Sequence, residues 1–300
     1  MDFNTSSPGK LLITSEYYVV KGALALAIPT KFKQSLDFKC TNSNKLEWKS
    51  YDRKNEVWLS CEFDLSDLRI TKNINKFSKT LQSLLISANK INSEFLKKNT
   101  GGLVSTHLNF SRKWGLGTSS TLINNISKWA NIDPFELLWT NYKGSGYDIA
   151  CALAKGPVLY QLKNNIPIVN PVKFNPKYIN NLFFIYLNKK QDSNTEIDKF
   201  SKRKITNSTI NILSNLTMEF VNSQTLLNFQ NCIIEHETII SKTLKTETVK
   251  NKYFKDYTGE IKSLGAWGGD FVLVSGDRHS PNYFRAKGYE TIIPFREMIL

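Results

Sequence analysis

The sequence contains few cysteines and histidines, and neither set is spaced in the manner of a metal site. Its four cysteines, at positions 40, 61, 151 and 232, are widely separated and form no CxxC pair. This excludes a disulfide-stapled mini-domain and a zinc-finger framework, and it indicates reduced thiols. The three histidines, at positions 107, 236 and 279, have no mutual spacing typical of a metal site or a catalytic triad. We therefore interpret them as structural.

The sequence also lacks long apolar runs. No stretch approaches the roughly 18 residues of a membrane-spanning helix. The opening "MDFNTSSPGK" lacks the basic start and apolar middle of a secretion signal. We therefore expect a cytoplasmic protein without a membrane partner.

Acidic residues are in the minority. Lysine and arginine number 40 against 26 aspartates and glutamates, which gives a formal net charge of +14. A basic protein favours an anionic partner, such as nucleic acid, acidic lipid or a phosphorylated small molecule. The lysines are dispersed and no nucleic-acid motif accompanies them, so we interpret most of them as solvated surface and expect no specific nucleic acid.

The first half of the chain predicts strands followed by helices. With 300 residues, 41% of them hydrophobic, the chain can bury a sizeable core and is long enough for two domains. The runs "KLLITSEYYVV" and "LALAIPTKFKQSLDFKC" predict strands, and "KLEWKSYDRKNEVWLSCEF" predicts a hairpin around "DRKN". A helix is predicted for "INKFSKTLQSLLISANKINSEFLKK", because Phe77, Leu81, Leu84 and Leu85 fall on one stripe.

The second half also mixes strands and helices. The Pro- and Asn-rich stretch "NNIPIVNPVKFNPKYINN" predicts an irregular linker, and it suggests domains at 1–170 and 171–300. Helices are predicted for "TEIDKFSKRKITNSTINILS" and "SQTLLNFQNCIIEHETIISKTL". Mixed elements in both halves favour an α+β fold rather than a regular βαβ repeat.

The stretch "GLGTSSTL" at 115–122 indicates an anion site. It follows the predicted strand "GLVSTHLNF" and precedes the predicted helix "STLINNISKWA". Glycines allow a ligand close to the backbone, and a helix N-terminus presents free N–H groups with a positive potential. The loop is not a Walker A motif, since no GxxxxGK[ST] occurs. The alternative is an ordinary helix cap, for which serine and threonine are also favoured.

Three further stretches accompany this loop. They are "SPGKLLITSEYYVVKGALALAIP", "GSGYDIACALAKGPVLY" and "KSLGAWGGDFVLV". Together with "GLGTSS", in this order and approximate spacing, they resemble the signatures of the GHMP kinases, a superfamily of galacto-, homoserine, mevalonate and phosphomevalonate kinases. The resemblance covers the chain almost end to end. It implies an N-terminal α/β domain and a C-terminal ferredoxin-like α+β domain, with ATP between them.

The resemblance also implies roles for individual residues. Lys10 would reach the reacting phosphates, and Asp148 would accept the proton of the substrate hydroxyl. Ser119 would ligate Mg²⁺, the ion that accompanies ATP. Phosphate binding would fall to Gly115, Leu116, Gly117, Thr118, Ser119 and Ser120, and acceptor binding to Glu16, Tyr17, Gly265, Ala266, Gly268 and Gly269.

Besides Thr118, which stands for a serine and keeps the hydroxyl, the sequence departs from the family pattern in three places. Arg112, Lys113 and Trp114 replace a proline and glycine ahead of the loop, and Trp267 replaces a glycine of the last motif, which would narrow the acceptor site. The family's second metal ligand, a glutamate, aligns with a leucine, and Glu136 lies one residue away. On a helix, one residue is a turn of about 100°. Either the alignment slips by one residue and Glu136 is a metal ligand, or the metal is held differently.

The sequence leaves the identity of the acceptor undecided between the substrates of two steps of one pathway. Parts of the motifs resemble phosphomevalonate kinases and others resemble mevalonate kinases, so we expect mevalonate or 5-phosphomevalonate as the acceptor. An acceptor that already carries a phosphate would need extra cations. Candidates for these are Arg112, Lys113, Lys189 and Lys190. The alternative function is a non-catalytic homologue that binds nucleotide or RNA for regulation.

Overall fold

The chain divides into two compact units. The computed structural model describes residues 2–97, 100–189, 200 and 203–300. Unit 1 comprises Met1–Gly9, Phe32–Arg112 and Leu116–Leu153, and unit 2 comprises Lys10–Lys31, Lys113–Gly115 and Ala154–Leu300. The boundary predicted after residue 170 falls inside the last segment of unit 2. Among the described residues, no helix has the length and apolarity needed to cross a membrane.

Five strands pair side by side in unit 1, within the larger of the two sheets of the described residues. They are β3 (Lys45–Tyr51), β4 (Val57–Asp64), β5 (Ile70–Lys72), β6 (Gly102–Leu108) and the part of β2 (Ala25–Cys40) that follows Lys31, in the order β5-β4-β3-β6-β2. The β3–β6 pair is parallel and the other pairs are antiparallel. The β3–β4 pair confirms the hairpin predicted around "DRKN".

Four helices complete unit 1. They are α1 (Lys76–Ile91), α2 (Thr118–Ala130), α3 (Pro134–Asn141) and α4 (Tyr147–Leu153). Asn75 caps α1 by accepting from the backbone N–H groups of Phe77 and Ser78, which fixes where the helix begins. The predicted stripe is buried at Leu81, Leu84 and Leu85, but the Phe77 side chain is 50% exposed.

Unit 2 is built around a four-stranded antiparallel sheet. Its strands are β9 (Leu182–Tyr186), β10 (Glu260–Ser263), β11 (Phe271–Ser275) and β12 (Ile292–Pro294), in the order β10-β11-β9-β12. Every residue of β9 and β11 is buried, so this sheet forms a core. A second group of antiparallel strands joins residues 25–27 of β2 to β7 (Val158–Lys163) and β8 (Ile166–Pro171).

The described part of unit 2 also contains five α-helices, which lie between and after the sheet strands along the chain. They are α5 (Asn207–Asn222), α6 (Leu226–Leu244), α7 (Val249–Tyr253), α8 (Ser280–Ala286) and α9 (Phe295–Met298), with short 3-10 helices at Tyr18–Lys21 and Ile179–Asn181. The first strand of the chain, β1 (Phe3–Leu12), begins in unit 1 and ends in unit 2. The expected α+β class, with two units and two sheets, is confirmed.

Two stretches differ from their predicted conformation. The predicted strand "KLLITSEYYVV" ends at Leu12, because Ser15 and Tyr17 have positive φ angles of 60° and 64° and a 3-10 helix follows. The predicted irregular linker contains β8, which lies at the edge of its strand group, where proline is tolerated.

Candidate active site

A small cavity in unit 2 brings together residues from three of the four motifs. It is lined by Lys10, Leu11, Leu12, Trp114, Gly115, Leu264, Gly265, Ala266, Asp270 and Phe271. Its volume is about 20 Å³, which is room for roughly one water molecule. Lys10, Gly115, Gly265 and Ala266 were all predicted to be site residues. Binding a phosphoryl group here therefore requires the lining loops to separate.

The wall of this cavity includes a carboxylate against the glycine loop. Gly115 has a φ of +66°, and a Cβ atom built on it would lie 2.3 Å from Oδ2 of Asp270. Only glycine therefore fits at this position without displacing Asp270. The backbone of Asp270 is itself held, because its N–H donates to the carbonyl of Lys189 at 2.7 Å.

The remainder of the predicted phosphate loop lies in unit 1, at the start of α2. Gly117 is the N-cap residue, with φ at +86°, and no side chain caps the helix. Leu116 is completely buried, Thr118 is half-buried and Ser119 is exposed. Ser120 Oγ donates to the carbonyl of Gly117 at 2.9 Å. A 13-residue helix without a side-chain cap presents its first N–H groups and its positive dipole to an anion.

A buried amide network supports this helix and was missed at the sequence level. Asn124 Nδ2 donates to Ser7 Oγ at 2.8 Å and to the carbonyl of Ala152 in α4 at 3.0 Å. Asn125 Oδ1 accepts from Ser7 Oγ at 2.6 Å. Asparagines 124 and 125 are fully buried within α2. No local sequence signal predicts this burial, because neither lies on the apolar stripe of Ile123, Ile126 and Ala130. The network fixes α2 relative to α4.

Asp148 lies in the first turn of α4, where it is half-buried. The turn before it requires Gly146, whose φ is +85°, because a Cβ there would lie 3.1 Å from the ring of Phe135. Trp139 Nε1 donates to the carbonyl of Gly144 at 3.2 Å and ties the same turn to α3. These contacts hold the backbone at Asp148 in a defined position.

The two predicted metal ligands, Ser119 and Glu136, are both exposed side chains in first helical turns. Leu137, which aligns with the family's glutamate, is completely buried. No group of three or more His, Cys, Asp or Glu residues that could hold a metal occurs among the described residues. Two exposed oxygen-bearing side chains fit an Mg²⁺ ion whose ligands are mainly nucleotide phosphates and water. The Ser119 hydroxyl would add one oxygen to that set.

Glu16 belongs to a buried charged cluster and does not line the cavity. Lys262 Nζ forms a very short ion pair with Glu16 and lies 3.2 Å from Oε1 of Glu237. Burial, with a smaller contribution from the charge of Glu237, raises the pKa of Glu16 to about 8 against the lowering effect of Lys262. Burial also raises the pKa of Glu237, and it lowers that of His236 well below its usual value, with Lys262 adding to that effect.

Tyr17 and the glycine-rich loop of the last motif are in direct contact. The backbone N–H of Trp267 donates to Tyr17 Oη at 3.0 Å. The Trp267 side chain is 6% exposed and packs with Tyr17, Tyr18 and Phe200 rather than lining the cavity. Gly268 takes a φ of +82°, and Gly269 is buried. Trp267 therefore fills an aromatic cluster behind the loop.

The candidate cations for a second phosphate are dispersed. The Arg112 guanidinium lies 3.5 Å from the centre of the Trp58 ring in unit 1, a cation–π contact. Lys113 and Lys189 are exposed in unit 2. Lys190 lies outside the described residues.

Comparisons with solved structures reveal the same fold in several kinases. Mevalonate kinase of Methanococcus jannaschii is 16% identical, with 98% of this chain and 97% of that chain covered and a TM-score of 0.72. Phosphomevalonate kinase of Streptococcus pneumoniae, in complex with phosphomevalonate and AMPPNP, is 15% identical, with 97% and 99% covered and a TM-score of 0.69. Galactokinase of Lactococcus lactis, complexed with galactose, is 13% identical, with 98% and 94% covered and a TM-score of 0.64.

Comparisons of the sequence, in contrast to those of the structure, find no relative. No family model matches the chain, and no curated protein matches it. The chain nevertheless has the fold of the GHMP kinases over nearly its whole length. The resemblance seen in the four motifs is thus confirmed for the fold.

Proposed function

We propose that the protein is an ATP-dependent kinase of GHMP type that phosphorylates mevalonate or 5-phosphomevalonate. The observation that carries the proposal is the cavity of unit 2, in which Lys10, Gly115 and Gly265 come together from three separate motifs. A lysine, a phosphate-loop glycine and a flexible glycine-rich loop are the parts that phosphoryl transfer needs at the reacting phosphate.

The proposed chemistry uses few protein groups. The acceptor hydroxyl oxygen attacks the γ-phosphorus of ATP, the bond from that phosphorus to the bridging oxygen of ADP breaks, and the hydroxyl proton passes to Asp148. The Lys10 ammonium neutralises charge on the transferring group. The uncapped N–H groups at the start of α2 hold phosphate oxygens. Bound Mg²⁺ would shield the phosphates, with the Ser119 hydroxyl among its ligands.

The choice of acceptor rests on the motifs. The proteins that share the fold include a mevalonate kinase, a phosphomevalonate kinase and a galactokinase, so the fold is compatible with all three acceptors. We favour the first two because the galactokinase opening signature is missing from the sequence. Localisation in the cytoplasm is part of the same proposal.

The test is ADP release with Mg·ATP, run in parallel on mevalonate and 5-phosphomevalonate, with galactose and homoserine as controls. We expect turnover of one of the first two acceptors. Turnover of a control alone would refute the assigned pathway while keeping the kinase. If the protein binds ATP but releases no ADP with any of the four acceptors, the result would contradict catalysis on them and favour the regulatory alternative. RNA binding that weakens steeply with salt would then support that alternative.

A further inference from the structure

The buried cluster in unit 2 connects the segment 15–17, which follows β1, to the glycine-rich loop. Lys262, on β10, is completely buried, as are Glu16 and His236. Lys262 Nζ also donates to the carbonyl of Ser263 at 2.6 Å. Ser263 Oγ in turn donates to Oε2 of Glu237, on α6, at 2.9 Å. The Lys262 ammonium thus contacts Glu16, Glu237 on α6 and the carbonyl of Ser263, the last residue of β10 before the glycine-rich loop.

Glu16 lies between two residues in a costly backbone conformation. Ser15 and Tyr17 both have positive φ angles, which side chains other than glycine rarely adopt. Such strain persists only where the surroundings over-determine it. Here the Ser15 N–H donates to His236 Nε2 at 2.8 Å, Ser15 Oγ donates to the carbonyl of Leu24 at 2.7 Å, and Glu16 pairs with Lys262. The segment 15–17 is thus fastened at three points.

The fastened segment holds the glycine-rich loop. Tyr17 Oη accepts the Trp267 N–H at 3.0 Å, halfway between Leu264 and Asp270. Gly265, next to the cavity, has a φ of +62° and no atom within 4 Å of where a Cβ would be, so nothing packs against it from that side. The contact from Tyr17 therefore restrains the loop at its midpoint, while the Gly265 end has open space beside it.

We propose that Lys262 is a positioning residue for the acceptor side of the site, acting through Glu16 and Tyr17 on the backbone of Trp267. The expected effect on catalysis rests on the proposed kinase function. The mechanical link, by which we mean the restraint that Lys262 places on the Trp267 backbone through Glu16 and Tyr17, does not depend on that function. Glu16 is buried and does not line the cavity, so its proposed role is to hold the glycine-rich loop in place through Tyr17 rather than to contact the acceptor. The titratable groups that face it within the described residues are Lys262, Glu237 and His236.

The first test measures the link without any assay of activity. Lys262→Met removes the ammonium at similar length, and hydrogen exchange of the Trp267 amide is followed by mass spectrometry. We expect exchange to become at least about tenfold faster, because local protection follows the free energy of opening. The matched control is Lys250→Met, which removes a partly exposed ion pair with Glu260 in the same unit and leaves the loop untouched. Unchanged exchange in a folded Lys262→Met protein overturns the proposal.

A second variant covers the case in which the first does not fold. Losing one partner of a buried ion pair leaves the other charge uncompensated, which is strongly destabilising. The double variant Glu16→Gln with Lys262→Met removes the whole contact and keeps the side-chain volumes similar. Accelerated exchange of the Trp267 amide is again expected, and unchanged exchange again contradicts the role.

Kinetics separate positioning from a merely structural effect. At a temperature where circular dichroism shows full folding, we expect Lys262→Met to raise the KM for the acceptor about tenfold while the affinity for ATP stays within about twofold, since small misplacements near reacting groups are costly. A purely structural residue would lower the active fraction and leave KM unchanged, and that result would overturn the catalytic part. If the wild-type protein phosphorylates no acceptor, the proposed function fails, and the exchange measurement still decides the mechanical link.

Discussion

The substitution Gly115→Ala tests the close approach between the glycine loop and Asp270. The new methyl carbon would lie 2.3 Å from Oδ2 and 2.4 Å from Cγ of Asp270. Carbon atoms in contact normally lie about 3.5–4.0 Å apart, so the carboxylate would have to withdraw by about 1 Å. The backbone is also in the left-handed region, at a φ of +66°. Both effects oppose the substitution.

The two costs can be separated in magnitude. An alanine in the left-handed region costs roughly 1–2 kcal/mol, and overpacking typically adds about 1–3 kcal/mol. We therefore expect Gly115→Ala to lower the free energy of unfolding by about 2–5 kcal/mol. The matched control is Gly288→Ala, since Gly288 has a φ of +86° but nothing within 4 Å of the built Cβ. It should lose only the backbone part, about 1–2 kcal/mol.

The assay is urea unfolding followed by tryptophan fluorescence for the wild type and both single variants. The same Gly115→Ala change is also made in an Asp270→Ala background, where the overpacking part of its cost should disappear and the backbone part should remain. Equal losses for Gly115→Ala and Gly288→Ala would refute the reasoning. An unchanged cost of Gly115→Ala in the Asp270→Ala background would refute it as well.

Three further outcomes are expected. Asp148→Asn should lower turnover by about 100- to 10,000-fold, the usual contribution of a positioned base, with ATP affinity almost unchanged; near-normal turnover would remove Asp148 from its role. Ser119→Ala should raise the Mg²⁺ concentration needed for half-maximal activity, and an unchanged metal titration would count against the ligand. Hydrogen bonds from Lys72 and Lys45 lower the pKa of Glu62 from 4.5 to about 2, so this carboxylate stabilises the fold above pH 4.5 and ceases to do so as the pH falls towards 2. The stability advantage of the wild type over Glu62→Gln, measured by urea midpoints, should therefore shrink from pH 6 to pH 2, and a constant difference would contradict it.

Local sequence patterns predicted the elements that local interactions determine. The hairpin of β3 and β4 and the helix α1 follow from alternation, from helical spacing and from the Asn75 cap. Phe77 deviates from its predicted stripe because it lies on the outer side of α1, edge-on to Trp58, with ring centroids 5.6 Å apart. A pattern of spacing does not show where a buried stripe ends.

Long-range contacts account for what the patterns missed. The stretch "SEYYVV" reads as a strand, yet its conformation is fixed by His236 and Lys262, which lie more than 200 residues away in the sequence. Lys262 itself gives no local signal, since a lysine in a short strand usually faces solvent. Gly115 and Gly117 were found from the composition of their own loop, whereas Lys10 and the glycines of the last motif were found because the resemblance pointed to them. Their roles in binding and catalysis stay predictions.

The segmented composition of unit 2 has a consequence for how the protein is made. Unit 1 is complete once residue 153 has been translated, but the segment 10–31 belongs to unit 2, most of which is residues 154–300. Glu16 precedes Lys262 by 246 residues, which at about 5–20 residues per second is a delay of roughly 12–50 s. During that time a carboxylate destined for the interior remains accessible on the nascent chain. Any chaperone or protease that acts on the nascent chain therefore has access to this segment before Lys262 has been synthesised.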